Sequence, residues 1–177
     1  MFDTTFIICA PEGNLGLIKN TVNSIKLCYP NNDYIVVLGK DATDSKEIEN
    51  TFPTIKAGKT ISSLINEGIK KGNKEWNFIV FEGSYIQKNT LKKYFTFVQN
   101  KKDVLYPLII ENTIGKIKQF RFNFVDGSMN GILIHQQTFK KVGKLTDNPL
   151  WHAKLFWCLD AIKNGCTFKG VLGTKVC

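Results

Sequence analysis

Glu82 is the residue whose type and place first suggest chemistry. In NFIVFEGSYI, residues 77–86, an apolar, β-prone run breaks sharply into Glu82, Gly83 and Ser84. Ligands of open α/β sheets bind in the crevice beyond the carboxyl ends of the strands, so a carboxylate there can hold a metal or a substrate. The same residues also suit an ordinary strand exit. PEGNLG, residues 11–16, invites a phosphate-cradle reading but lacks both the Rossmann glycine spacing and the P-loop lysine. It reads as a strand-to-helix loop. Cys9, Cys28, Cys158, Cys166 and Cys177 are odd in number, show no C-x-x-C spacing, and are joined only by His135 and His152. This is poor material for a zinc cluster and points to reduced thiols.

The charge of +9 would attract phosphates, nucleic acid or anionic surfaces. Nearly all of it is lysine, in scattered pairs such as Lys70 with Lys71 and Lys140 with Lys141, and Arg121 is the sole arginine. Bidentate recognition of guanine or phosphate is therefore scarcely available, and nucleic acid is not an expected partner. The 177 residues, 43% of them hydrophobic, suffice for one domain with a real core. Runs such as FIICA, YIVVL and VLYPLII are far shorter than the roughly 20 residues of a transmembrane helix. The N-terminus shows no signal-type segment. The expectation is one soluble domain over residues 1–177, cytoplasmic, or part of a viral particle if it is a structural subunit.

The elements that must position Glu82 alternate between strand and helix, which implies parallel strands joined by crossover helices. Residues 5–10 form a first strand closed by Pro11. NLGLIKNTVNSIKL follows, with Leu15, Ile18, Val22 and Ile25 at helical spacing and Asn14 as cap. YIVVL is a second strand; GKTISSLINEGIKKG is a second helix with Ile61, Leu64, Ile65 and Ile69 inward. NFIVF is then a central strand, buried on both faces. Leu91, Tyr94, Phe95 and Val98 suit another helix before the strand DVLYPLII. KIKQFRFNF alternates, as a half-exposed antiparallel strand does. GILIH adds a strand, and NPLWHAKLFWCLDAIKNG a last helix with the apolar stripe Trp151, Leu155, Leu159 and Ile162, ended by Gly165.

This order of blocks resembles the family 2 nucleotide-sugar glycosyltransferases, over about residues 6–171. The likeness rests on IICAPEGNLGLIKNTVNSI followed by YPNNDYIVVLGKDATD, on GKTISSLINEGIKKGNKEWNFIVFEGSYI with its helical Asn-x-Gly-Ile, and on GILIHQQTFKKVG. The resemblance implies a GT-A-like fold: a mainly parallel sheet, helices on both faces and an antiparallel edge extension. It also places Glu82, Gly83 and Ser84 where the family carries the D-x-D that holds manganese or magnesium against the donor diphosphate. One carboxylate remains there, Glu82, with Ser84 a weak neutral ligand.

Other positions depart from the family in the same way. Gly39 and Lys40 stand where the family has acidic nucleotide contacts, with Asp41 displaced nearby as a substitute. Lys40 and Lys59 are candidates to neutralise donor phosphates without metal. The acidic pair supplying the family's general base falls near Ala153 and Lys154. His152, beside them, and Asp126, in VDGSMNG, are the candidate catalytic substitutes; their bland alternatives are a helix residue and a turn-forming Asp-Gly. Two functions follow: transfer of a sugar from a nucleotide-sugar donor to an unknown acceptor, or a non-catalytic GT-A-like binding or structural subunit. In the strand carrying Phe120, Phe122 and Phe124, the polar Arg121 and Asn123 alternate with the aromatics and face opposite to them. That aromatic face is expected to pack over the sheet or against a protein partner or second copy.

Overall fold

The computed structural model describes residues 3–114, 117–122, 129–147 and 150–172, with side chains described for residues 3–107, 129–147 and 153–171. The first strand, β1 (Thr4–Ala10), is buried along its whole length. A strand covered on both faces can be continuously apolar, and TTFIICA nearly is. Parallel neighbours flank it: β2 (Asp33–Leu38) on one side and β4 (Trp76–Phe81) on the other. The short β3 (Thr54–Lys56) extends the sheet beyond β2. On the far side of β4 runs β7 (Ile132–His135), antiparallel, and then β5 (Asp103–Ile114). Two further strands pair with β5: β6 (Ile117–Phe122) antiparallel and β8 (Thr167–Leu172) parallel. The sheet order is β3-β2-β1-β4-β7-β5-β6, with β8 on β5.

Helices cover both faces. Following β1, α1 (Leu15–Cys28) starts at Asn14, whose side chain accepts the Leu17 N–H at 3.0 Å. It lays Ile18, Val22 and Ile25 on Phe6, Ile8 and Phe78, together with Leu91 and Tyr94 of α4 (Thr90–Phe97). The opposite face is covered by α3 (Ile61–Lys71), α5 (Gln136–Val142) and α6 (Leu150–Lys163), packing Leu64, Ile65, Ile69, Phe139 and Trp157 on Ile7, Cys9 and Ile79. Thr60 caps α3 through its hydroxyl, which accepts the Ser63 N–H at 3.1 Å. A β-carbon at Gly68 would stand 2.2 Å from Ile7 Cγ2, so this glycine sets how closely α3 approaches the sheet. Asn66, two residues earlier, pins the chain beyond α5: its amide donates to the Leu145 carbonyl at 2.8 Å and accepts the Leu145 N–H at 2.9 Å.

The central strands lie where the sequence places them, and NFIVF is interior as expected. One helix face does not. Leu155, Leu159 and Ile162 of α6 are exposed, whereas Ala153, Trp157, Cys158 and Ala161 face the core. LWHAKLFWCLDAIK is apolar almost all round, so spacing alone could not decide which side the sheet takes. The side chain of Trp151 lies outside the described residues. Three elements went unread in the sequence: β3, β8 and α2 (Ser45–Thr51). They are short or polar, and a three-residue strand leaves no periodic pattern. The strand with Phe120 and Phe122 is antiparallel, as expected, but their side chains and Phe124 lie outside the described residues, as does the question of what they pack against.

Candidate functional site

The carboxyl ends of β1, β2 and β4 come together at one edge of the sheet, and the loops leaving them bond to one another. The Glu82 carboxylate leaves β4 and reaches the loop after β1. One oxygen accepts the N–H of Glu12 at 2.9 Å and of Gly13 at 3.2 Å; the other accepts the N–H of Asn14 at 2.8 Å. Three amides that would otherwise need water at the entrance to α1 are thus gathered by one anion, with the helix dipole adding to the attraction. Gly83, at a φ of 84°, then turns the chain, and the Ser84 N–H returns to the Phe81 carbonyl at 3.1 Å. This is why a buried strand ends on a carboxylate and a glycine. Ser84 is itself buried, its hydroxyl 3.2 Å from the Asn130 side-chain oxygen, which also accepts the Phe81 N–H.

The loop after β2 locks onto the same segment from the other side. Thr43 donates its N–H to the Glu12 carbonyl at 3.0 Å, and Asp44 donates its N–H to the Gly13 carbonyl at 3.3 Å while its carboxylate accepts the Leu15 N–H at 3.0 Å. A β-carbon at Gly13, where φ is 68°, would stand 2.4 Å from Ala42 Cβ; one at Gly39 would stand 2.6 Å from the Pro11 carbonyl oxygen. Glycine is required at both because the two loops touch.

Above this knot stands an exposed charged group. Asp41 and Lys59 form an ion pair at 2.9 Å, with side chains 67% and 66% exposed, so water screens it and another partner can replace it. The hydrogen bond from Lys59 holds the Asp41 carboxyl below the usual carboxylate range, and reciprocally Asp41 raises Lys59. Lys40, also exposed, adds a second positive charge beside Asp41.

Four sequence candidates therefore share one edge: Lys40, Asp41, Lys59 and Glu82. His152 falls in the first turn of α6 with its side chain outside the described residues, and Asp126 lies outside them altogether. Ala153 and Lys154 are both buried. A hard divalent cation takes several oxygen ligands. Both Glu82 oxygens already serve backbone donors, and among the described residues no group of three or more His, Cys, Asp or Glu is placed to hold a metal. Sequence reasoning missed Asn130, whose side-chain oxygen accepts from the Phe81 main chain and the Ser84 hydroxyl and leaves no motif; Asp44, noted beside Asp41 as a nearby acid, serves the Leu15 main chain. It also missed a buried pair at the far end of the sheet: Asp103 accepts from Lys169 Nζ at 2.9 Å and from the amides of Gln99 and Asn100.

The eight-stranded, mainly parallel sheet, with an antiparallel strand between β4 and β5 and helices on both faces, is a GT-A-like fold. It superposes on TarS of S. aureus: on residues 1–349 in complex with UDP with a TM-score of 0.64 at 14% identity, covering 97% of this chain and 57% of that one. The match to a longer TarS structure has a TM-score of 0.68 at 15% identity over 99% of this chain and 36% of that one. For TarS 1–349 in complex with UDP-GlcNAc the values are 0.58, 13%, 90% and 54%. At these identities the likeness is one of fold, and the chain spans little more than half the length of the shorter TarS structures. No protein-family model matches the sequence, and no curated protein does.

Proposed function

We propose that this protein is a GT-A-like module that binds a nucleotide sugar at the carboxyl edge of β1, β2 and β4 without a metal clamp, and that Glu82 acts as a brace for the loop beneath. The observation that carries the reading is the division of charge at that edge: the Glu82 carboxylate is held by three main-chain N–H groups, while Lys40 and the Asp41–Lys59 pair are exposed to solvent. A diphosphate needs its charge neutralised, and the available cations here are ammonium groups. The ligand's phosphate displaces Asp41 from Lys59, a small cost for a screened surface pair. Asp41, released, accepts from a base or ribose. The fold's likeness to structures of TarS with UDP and with UDP-GlcNAc supports this class of ligand.

Sugar transfer forms no part of the reading. Ala153 and Lys154, where the resemblance puts the family's base, offer no carboxylate to take a proton from an acceptor hydroxyl. The test is a thermal-shift titration with UDP-GlcNAc and with the guanosine, cytidine and thymidine diphosphate sugars. At least one stabilises the protein in the presence of a chelator, and the double variant Lys40→Ala, Lys59→Ala abolishes the shift while keeping the melting temperature of the unliganded protein. Absence of any shift, or one unchanged in the double variant, overturns the proposal.

A further inference from the structure

A second concavity lies between α3 and α5, lined by residues outside the nucleotide edge. Its volume is about 220 Å³, room for a single ring with a small substituent. Phe139, 6% exposed, forms its apolar floor. The polar side chains in the wall are turned to main-chain or side-chain partners: Asn66 to Leu145, and Gln136 both to the Ile69 carbonyl at 3.0 Å and to Asn77 at 2.6 Å. Gly143, in the rim, has its carbonyl held by the Trp157 indole N–H at 2.8 Å, and a β-carbon there would meet nothing within 4 Å. The walls are therefore pinned before any ligand arrives, which removes much of the ordering cost of binding.

The charge around this cavity has one sign. Lys70, Lys140 and Lys144 line it and no acidic residue does. Lys70 has a weak surface partner in Glu67 at 3.5 Å. An apolar floor alone would suit a neutral ring; three ammonium groups at its margin select for an anion, since an ammonium near a low-dielectric wall interacts more strongly with a charge than it does in open water.

We propose that this cavity is a binding site for a small aromatic anion, a phosphate or carboxylate carried on a single ring, with the ring on Phe139 and the anionic group among Lys70, Lys140 and Lys144. It is independent of the nucleotide edge, so either proposal can fail without the other. The probe is phenyl phosphate, titrated calorimetrically into the whole protein beside inorganic phosphate and neutral benzyl alcohol. Phenyl phosphate binds saturably and at least about tenfold more tightly than either comparator, a difference of about 1.4 kcal/mol. The exposed-rim variant Lys140→Glu, Lys144→Glu loses that binding by about tenfold or more. Amide resonances of Gly143 and Lys144 shift on titration, and saturating UDP-GlcNAc leaves the affinity unchanged. Lack of saturable binding, equal binding of benzyl alcohol or inorganic phosphate, or insensitivity to the charge reversal overturns the proposal.

Discussion

Replacing Glu82 by glutamine tests whether its carboxylate is a brace. The glutamine is nearly isosteric, keeps one oxygen, and presents an NH₂ where the carboxylate had its second acceptor. If its oxygen stays with Glu12 and Gly13, the NH₂ faces the Asn14 N–H, donor against donor, and the 2.8 Å contact is lost. A hydrogen bond to a charged group contributes about 1.5 to 3 kcal/mol and a neutral one about 1, so the two surviving contacts weaken as well. Water can solvate the exposed amides of Glu12 and Asn14 and recovers part of the loss, whereas Gly13 is buried. The net cost is about 2 kcal/mol, which for a chain of this size lowers the melting temperature by roughly 4 to 8 °C. Thermal unfolding followed by circular dichroism reads it directly, and hydrogen exchange at Gly13 and Asn14 accelerates in the variant. A melting temperature equal to the parent's, with unchanged exchange at those amides, would refute the brace.

Other expectations follow from the same kind of accounting. Lys169→Met leaves Asp103 buried and short of its cationic partner, and unfolding by urea shows a loss of about 3 kcal/mol, the low end for a broken buried pair because Lys169 keeps some exposure. Burial alone would push the Asp103 carboxyl up, but Lys169 and the Gln99 and Asn100 amides outweigh it and hold it low. Its folded pKa is thus depressed, so its contribution to stability is fully present above about pH 4 and fades as pH falls through the folded value; Asp103→Asn flattens that acid limb of the stability curve. Asn66→Ala removes both bonds to Leu145 in a buried setting and costs about 2 to 3 kcal/mol by denaturant titration. Leu159→Lys, on the outward side of α6, changes stability by less than about 0.5 kcal/mol, whereas Ala161→Lys on the inward side prevents folding.

The parts of the fold legible in the sequence were those where one physical demand dominates. A strand with every residue of Phe6–Ala10 at zero exposure must be apolar on both faces, and a helix start must satisfy its first amides, so FIICA and Asn14 declared themselves. The face of α6 did not, because Leu155 and Trp157 carry the same hydrophobic signal and only the shape of the neighbouring α3 and α5 decides between them. Glu82 was found by its position at the end of a central strand, but its occupation was not legible. Its partners are backbone amides 68 to 70 residues earlier in the chain, and a main-chain N–H looks alike beneath every side chain. The ion pair of Asp41 and Lys59 was half legible: both residues were singled out, yet nothing in the spacing joined the end of β2 to the residue before Thr60.

Calorimetric titration of UDP-GlcNAc, once with manganese and once with a chelator, tests the account most directly. Binding is saturable and of equal affinity in both, lost in the Lys40→Ala, Lys59→Ala variant and retained in Glu82→Gln. Binding that appears only with manganese and disappears in Glu82→Gln would contradict it, since that carboxylate would then be holding a metal and not the loop.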